Sequence, residues 1–254
     1  MKFNVLSDLH FELNRKRKQF ILPKTAPYLL LAGDITYIGD KGYKNLLTEA
    51  SENYEKVFFV LGNHCAYLST WQDAIDTAKE LCKAFSNVFF LHRDDMRIDD
   101  DTVIIGTTLH SFVPEWAEDE VQSDINDFYY IKDWTVTKHN AEFLANVKWL
   151  NERTSELLIE NPKVKILALF HYPPFDKGTS HPIYEAQERA LNYAFRSNLS
   201  LEPCFRSLHT IVAGHTHYQF NQIVNGVRLI SNQKGYSNEY PKVENFDPKR
   251  IFEV

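Results

Sequence analysis

Residues 3–10 read Phe3-Asn4-Val5-Leu6-Ser7-Asp8-Leu9-His10. A short apolar β run stops at a serine, and an aspartate and a histidine follow, two residues apart. The same grammar recurs along the chain. Residues 28–34 (YLLLAGD) stop at Gly33-Asp34, and residues 57–64 (VFFVLGNH) stop at Gly62-Asn63-His64. Residues 165–171 end at His171, and residues 210–217 (TIVAGHTH) end at His215 and His217. These runs are strand-sized and continuously apolar rather than alternating, as in strands buried on both faces. Helical stretches separate several of them. The pattern predicts an α/β architecture whose strands are covered by helices.

Residues 40–52 read as a helix, and Ser69-Thr70-Trp71-Gln72 resembles a capping box opening another that reaches about residue 84. Residues 88–91 add a strand. Residues 96–109 read as a hairpin turning at Asp99-Asp100-Asp101, an acid run that lacks the alternating spacing of a calcium loop. Residues 110–136 are irregular and rich in aromatics. A long helix is predicted over 137–159, with Phe143, Leu144, Val147, Leu150 and Leu157 as its core stripe and Pro162 beyond its end. Another helix is expected over 184–196. Residues 219–230 form a hairpin turning at Asn225-Gly226, a type I′ signal. With no repeat and no flexible linker, one domain over 1–254 is the predicted organisation.

The chain has 254 residues, 44% of them hydrophobic, and 28 basic against 34 acidic residues give a net charge of −6. That length supports a sizeable core, and the mild acidity excludes bulk attraction to nucleic acid. The cluster Arg15-Lys16-Arg17-Lys18 reads as a solvated face rather than a polyanion patch. Cys65, Cys82 and Cys204 are too scattered for a disulfide framework or a thiolate zinc site, which fits a reducing compartment. The opening MKFNVLSDLH carries no signal-peptide core, and no apolar run approaches membrane-spanning length. A cytoplasmic protein without membrane partners is expected, with its oligomeric state left open.

In open α/β sheets, the C-terminal ends of strands line a crevice where ligands bind. Asp8, His10, Asp34, Asn63, His64, His171, His215 and His217 would converge there. Carboxylate, amide oxygen and imidazole suit Mn²⁺, Fe or Zn²⁺, and one central aspartate could bridge two ions. Asp8-x-His10 alone reads more often as an incidental feature, and His171 alone more often as a hydrogen-bonded loop histidine. The informative observation is the ordered set of five blocks, each placed after a β run.

Ser7-Asp8-Leu9-His10, Gly33-Asp34, Gly62-Asn63-His64, His171 and Gly214-His215-Thr216-His217 resemble the five blocks of the calcineurin-like metallophosphoesterases. The blocks Asn126-Asp127-Phe128-Tyr129 and Ser231-Asn232-Gln233-Lys234-Gly235-Tyr236 are similar to those of a small single-domain branch of undefined substrate. The resemblance covers nearly the whole chain. It implies a four-layer α-β-β-α sandwich of two facing mixed β-sheets flanked by helices. It also implies two divalent metal ions, Mn²⁺ foremost, with Fe or Zn²⁺ as alternatives. Asp8, His10 and His217 would hold the first ion, Asn63, His171 and His215 the second, and Asp34 would bridge them. His64 would contact the phosphoryl oxygen or protonate the leaving group. Two cations roughly 3.5–4 Å apart clamp phosphoryl oxygens and supply a bridging hydroxide for in-line attack. They also neutralise the charge that spreads in the transition state.

Two departures from the family pattern stand out. Cys65 occupies the place where an acidic residue usually follows His64. A thiol orients an imidazole weakly, so His64 is expected to be less basic unless another acid takes over, and Cys65→Asp is expected to restore the pair. Lys234 stands where the branch usually has Arg. It can meet a phosphate as a point charge but not bidentately, or simply be solvated. Further substrate-facing candidates, beside Asn63 and His64, are Asp127, Tyr129, Tyr172 and His181. Phe128-Tyr129-Tyr130 could stack a base or pack beneath a loop.

The expected function is a dinuclear hydrolase of phosphate esters, first a small-molecule or nucleotide phosphodiesterase and second a phosphomonoesterase. Protein phosphatase is disfavoured, because Ile35-Thr36-Tyr37-Ile38-Gly39 follows Asp34 where those enzymes have Val-Asp-Arg-Gly. A non-catalytic scaffold on this fold is the rival from another class. The presence of every metal position together with His64 favours an enzyme.

Overall fold

The computed structural model describes residues 1–13, 20–187 and 189–253, so the basic cluster at 15–18 lies outside the described residues. In chain order the elements are β1 (Lys2–Leu6), β2 (Tyr28–Ala32), α1 (Lys41–Asn53), β3 (Lys56–Val60) and α2 (Trp71–Cys82). Next come β4 (Val88–Phe90), β5 (Asp94–Asp99), β6 (Thr102–Gly106), α3 (Glu118–Asp124), α4 (Asp127–Tyr130) and α5 (Val136–Glu160). The rest are β7 (Lys165–Leu169), α6 (Pro182–Glu185), α7 (Pro203–Ser207), β8 (Thr210–Val212), β9 (Asn221–Val224), β10 (Val227–Ile230) and β11 (Ile251–Glu253).

The strands form two mixed sheets, ordered β11-β1-β2-β3-β4 and β5-β6-β7-β8-β10-β9. Three of the five ligand-bearing runs, β1, β2 and β3, lie side by side and parallel in the first sheet. The other two, β7 and β8, are parallel neighbours in the second. The crevice at the strand ends is therefore shared between two sheets rather than set along one sheet edge. Between the sheets, Phe3, Val5, Leu30, Phe58 and Val60 pack against Ile104, Leu167, Leu169, Val212 and Ile230. The outer face of the first sheet is covered by apolar residues of α1 and α2. The outer face of the second is covered by Phe143, Leu150 and Leu157 of α5. Burial on both faces explains why these strands read as continuous apolar runs.

Local signals act as expected at several ends. Thr70 caps α2 by accepting the N–H of Asp73 at 3.0 Å, and Asn225 and Gly226 have φ of 51° and 85°, as a type I′ turn requires. Two expectations are corrected. Leu144 is not part of the stripe of α5: it is exposed, and the buried face is His139, Phe143, Asn146, Leu150, Thr154 and Leu157. The expected helix over 184–196 is a single turn, α6, followed by a separate 3₁₀ turn at Ala190–Ala194. The Asn192 amide donates to the carbonyl oxygens of Tyr184 and Gln187, which takes the acceptors a continuing helix would need.

The polar members of the α5 face belong to a buried aromatic layer. The His110 ring lies against Trp71, Trp134, His139 and Tyr172, with centroid separations of 4.6–5.4 Å. His139 keeps one hydrogen bond, to Ser111 Oγ at 3.0 Å. Burial pushes the His139 imidazole down to about 3 and holds His110 well below its ordinary value, with His139 adding to the effect on His110. Both rings are neutral in the folded state, whereas the unfolded chain takes up protons below about pH 6.5. Stability is therefore fully present above that pH and falls as pH drops toward the folded values. Urea unfolding of the wild type is expected to lose about 1.4 kcal/mol per pH unit for each such ring below pH 6. His139→Gln should remove one ring's share of that slope, and equal slopes in the two proteins would contradict this account.

Candidate metal centre

Sharp turns carry the side chains off the strand ends. Asp8, His10, Asp34, His215 and His217 all have positive φ, between 46° and 72°. Non-glycine residues in this region are strained, and such strain persists only where the surroundings fix it. Here the blocks brace one another. The N–H groups of Asp8 and His10 donate to the carbonyl oxygens of Gly33 and Asp34, each at 3.1 Å. The N–H of His64 donates to Asp34 Oδ1 at 3.0 Å, and that of His215 to Asp8 Oδ1 at 3.0 Å. Gly62 is required by close approach, since a Cβ there would fall on the Asp34 carboxylate and on its backbone nitrogen.

The structure brings all the candidate ligands together. Asp8, His10 and His217 form one cluster and Asp34, His171 and His215 another, with His10, Asp34 and His64 as a third that joins them, the donor atoms within each lying within 4.8 Å of one another. The hydrogen bonds fix which ring nitrogens are free. Carboxylates engage Nδ1 of His10 (Glu12, 2.8 Å) and Nδ1 of His217 (Glu239, 2.5 Å). In the neutral tautomers those nitrogens carry the proton, so the two Nε2 lone pairs face each other 3.0 Å apart. His171 repeats the arrangement. Its Nδ1 donates to the Ala32 carbonyl at 2.8 Å, so Nε2 turns a lone pair toward Asn63 Oδ1 at 3.0 Å and Asp34 Oδ2 at 3.4 Å. Asn63 shows its oxygen there because its amide donates to Asp127 Oδ1 at 2.7 Å. Acceptors aimed at acceptors in a buried space fit a cation at each point, and carboxylate-backed imidazoles are the usual outer support of metal ligands.

Despite burial, the carboxylates favour protonated rings at His171 and His217, and a bound cation would displace those protons. Burial opposes the charge on Asp34, yet His171, His64 and His10 hold its carboxyl far below the usual range. Asp8 is also lowered: burial again works against it, and His217 and His171 outweigh burial. His217 is raised to about 10, because Asp8 and Glu239 overcome its burial. His215 is held well below its ordinary value by burial and by His171.

His64 lies beside the first two of these clusters, stacked on Tyr67 at 4.2 Å. Its Nδ1 meets Glu12 Oε1 at 3.1 Å and its Nε2 meets the Tyr236 hydroxyl at 3.1 Å. Glu12 is thus the acid that takes over from position 65, and one oxygen serves both His10 and His64. Although burial lowers the His64 value, Asp34, Glu12 and Asp127 raise it overall. Cys65 does not reach this ring. It is buried, and its Sγ accepts the N–H of Gly62 at 3.4 Å. The expectation that position 65 governs His64 is therefore corrected.

A cavity of about 750 Å³ opens over the clusters, lined near them by Asp34, Asn63, His64, Tyr67 and His215. The softer substrate candidates separate. Asp127 and His181 line the cavity. Asp127, however, is spent on support: it accepts from Asn63, from Tyr67 at 2.7 Å and from Tyr172 at 3.2 Å. Tyr172 is fully buried with its ring 3.9 Å from that of His215, so it packs beneath the site and does not face substrate. Tyr129 is exposed and its hydroxyl donates to Ser123, away from the cavity. Lys234 donates to the Leu9 carbonyl at 3.1 Å and is not in the cavity wall. The sequence reading missed Glu12, Tyr236 and Glu239. The available signal for Glu12 was its position two residues after His10.

The family described as calcineurin-like phosphoesterase matches residues 1–219. The chain is 30% identical over 247 residues to the uncharacterized protein L509 of Acanthamoeba polyphaga mimivirus, covering 91% of this chain and 85% of that one. Its fold is similar to the phosphopantetheinyl hydrolase PptH of Mycobacterium tuberculosis (TM-score 0.69, 17% identity, 98% and 97% of the two chains). It is also similar to the protein TT1561 of Thermus thermophilus (TM-score 0.55, 11% identity, 91% and 88%).

Glu12→Ala is expected to weaken Mn²⁺ binding about 10–100-fold, as loss of a carboxylate behind a ligating imidazole does. Titration calorimetry measures this, with Cys65→Ser as the control expected to bind like the wild type. Cys65→Asp should lower unfolding stability by about 1–3 kcal/mol through a buried, unpaired carboxylate. A stable Cys65→Asp protein would contradict the placement of this side chain.

Proposed function

The chain belongs to the calcineurin-like phosphoesterase family, and on that premise we propose that this metal-dependent phosphoesterase is a phosphodiesterase acting on nucleotide-sized or comparable small diesters. The observation that carries the reading is the pair of ligand clusters, joined through His10 and Asp34, beside a cavity of about 750 Å³. That volume is in the range of pockets for whole small molecules, more than a lone phosphate monoester with a small leaving group fills. Two divalent ions, Mn²⁺ first among the candidates, would supply Lewis-acid polarisation of the phosphoryl oxygens and of the attacking water. Asp8, His10 and His217 would hold one ion, Asn63, His171 and His215 the other, and Asp34 would serve both. Three scattered free cysteines support a reducing, cytoplasmic setting.

The remaining work falls to the chain's own side chains. Glu12 engages His64 at Nδ1, so Nε2 is the nitrogen that can hold a proton toward the cavity. The raised value of His64 favours the protonated ring, and a protonated Nε2 can give its proton to a leaving alkoxide. Tyr236, in hydrogen-bond contact with that nitrogen, keeps the ring in place until substrate arrives. Asp127 holds the Asn63 oxygen toward His171 by fixing the amide nitrogen.

Turnover of bis(p-nitrophenyl) phosphate with added Mn²⁺, measured against p-nitrophenyl phosphate, tests the reading, and preference for the monoester would overturn it. Asp34→Ala should abolish turnover and Mn²⁺ binding together. His64→Ala should keep the metal and slow turnover of alkyl diesters by about 10²–10⁴-fold, as for a lost general acid. His64→Ala turnover at the wild-type rate would remove His64 from the mechanism.

A further inference from the structure

Arg93 and Arg153 pair with carboxylates at 2.8 Å and Arg97 at 3.6 Å, all near the surface. Arg196 differs. Its residue is 8% exposed, it lines the same cavity as Asp34 and His64, and among the described residues no carboxylate lies within ion-pair distance. Among those residues its side-chain hydrogen bond runs from Nη1 to Ser180 Oγ. A guanidinium has five N–H donors in a planar fork, so most of them are uncommitted there. The carboxylates that act on it from farther away are Glu185 and Asp176, and both are engaged elsewhere. Glu185 accepts the N–H groups of Thr179 and Ser180, each at 3.1 Å, and the Ser180 hydroxyl at 3.4 Å, so it reaches Arg196 only through Ser180, and Asp176 accepts from Asn198 at 2.9 Å. Burying a guanidinium without a counter-charge is costly, and burial does push its value down.

The wall that carries Arg196 is fastened to the metal centre. The ring of Phe195 stacks on His215 at 5.2 Å, and Thr216 Oγ donates to the Thr179 carbonyl at 2.6 Å. Next to Ser180, His181 accepts the N–H of Ile183 on Nδ1 at 3.2 Å. That leaves Nε2–H as the donor of its neutral ring, and His181 also lines the cavity. A buried fork and an imidazole N–H therefore belong to one cavity wall, and neither is part of the ligand clusters.

We propose that Arg196, held by Ser180 and flanked by His181, forms an anion subsite for a second phosphate group, so that the substrate is a phosphodiester carrying another phosphate on the part not held at the metal centre. The planar fork suits bidentate contact with phosphate oxygens, and such charge-assisted pairs are the strong ones. The assignment of substrate class rests on the phosphodiesterase reading, but the subsite can be tested without turnover.

Inorganic phosphate is titrated into the full chain freed of metal by chelation, and heat is recorded for wild type, Arg196→Gln and Arg196→Met. The methionine variant keeps the packing of the arginine stem in case the glutamine variant does not fold. Each variant is expected to bind phosphate at least about tenfold more weakly. Next, a matched pair of p-nitrophenyl nucleoside diesters, one ending in a free hydroxyl and one in a phosphate, is compared on the Mn²⁺-loaded enzyme. Wild type should prefer the phosphate-bearing diester, through KM, and the ratio of kcat/KM values should fall at least about tenfold in either variant. Phosphate binding that is absent in wild type or equal in the folded variants overturns the subsite. An unchanged ratio overturns its role in choosing substrate. Failure of wild type to turn over either diester counts against the phosphodiesterase reading and leaves the calorimetric result to decide the subsite.

Discussion

Two carboxylates, Asp8 and Asp34, are buried among imidazoles at the junction of two sheets, and the rest of the molecule is arranged to make that tolerable. Each accepts a backbone N–H from a block far away in the chain, His215 for Asp8 and His64 for Asp34. Each is thereby both a site group and a tie between strands. A buried charge without partners would be expelled or neutralised. Here the partners arrive in fixed orientation because the strands beneath them are continuous apolar runs clamped between an inner core and covering helices. The positive φ values at five site residues are the local strain of this arrangement, held by the packing around it.

Behind the clusters lies a layer with no contact to substrate that nonetheless decides how the clusters point. Asp127 gathers Asn63, Tyr67 and Tyr172 on its two oxygens. Tyr172 supports the ring of His215, and His110 and Trp71 lie beneath Tyr172 in turn. The segment before α5 read as irregular and aromatic because it fills this space rather than a regular layer. Phe128 packs into two of the cores, and Tyr130 lies 5.2 Å from Tyr67. None of these aromatics needs to stack on a base to account for its place.

The five strand-end blocks were legible because one local device repeats: an apolar run, a tight turn, then a ligand-type residue. That device is carried by neighbouring residues and survives without tertiary information. Glu12 was passed over because it sits in a single 3₁₀ turn, where neither the helical nor the strand period shows, and its significance comes from reaching two rings at once. Asp127 and Tyr172 were located near the site, yet their direction was not legible: a carboxylate that accepts from Asn63 looks in sequence like one that faces a ligand. Leu144 was misplaced because the buried face of α5 carries His139, Asn146 and Thr154, whose polar side chains hide the true stripe. The helix expected over 184–196 failed for a comparable reason, since the competing amide of Asn192 acts only once the loop has folded back.

The pairing of β11 with β1 has a consequence for how the protein is made. Lys2 faces Glu253 in register, and β1 is the strand that delivers Asp8. During synthesis β1 emerges first, but its outer neighbour appears only when some 250 further residues have left the ribosome. Pairings of such separation form late, because long loops must close before the contacts reward them. The nascent chain therefore carries the Asp8 turn with one flank of its strand uncovered, and without the Gly214-His215 block that braces it, while the intervening residues are made. The clusters can assemble only after synthesis has passed the last of the five blocks, so any ion they hold would be taken up after the Gly214–His217 turn has joined the fold.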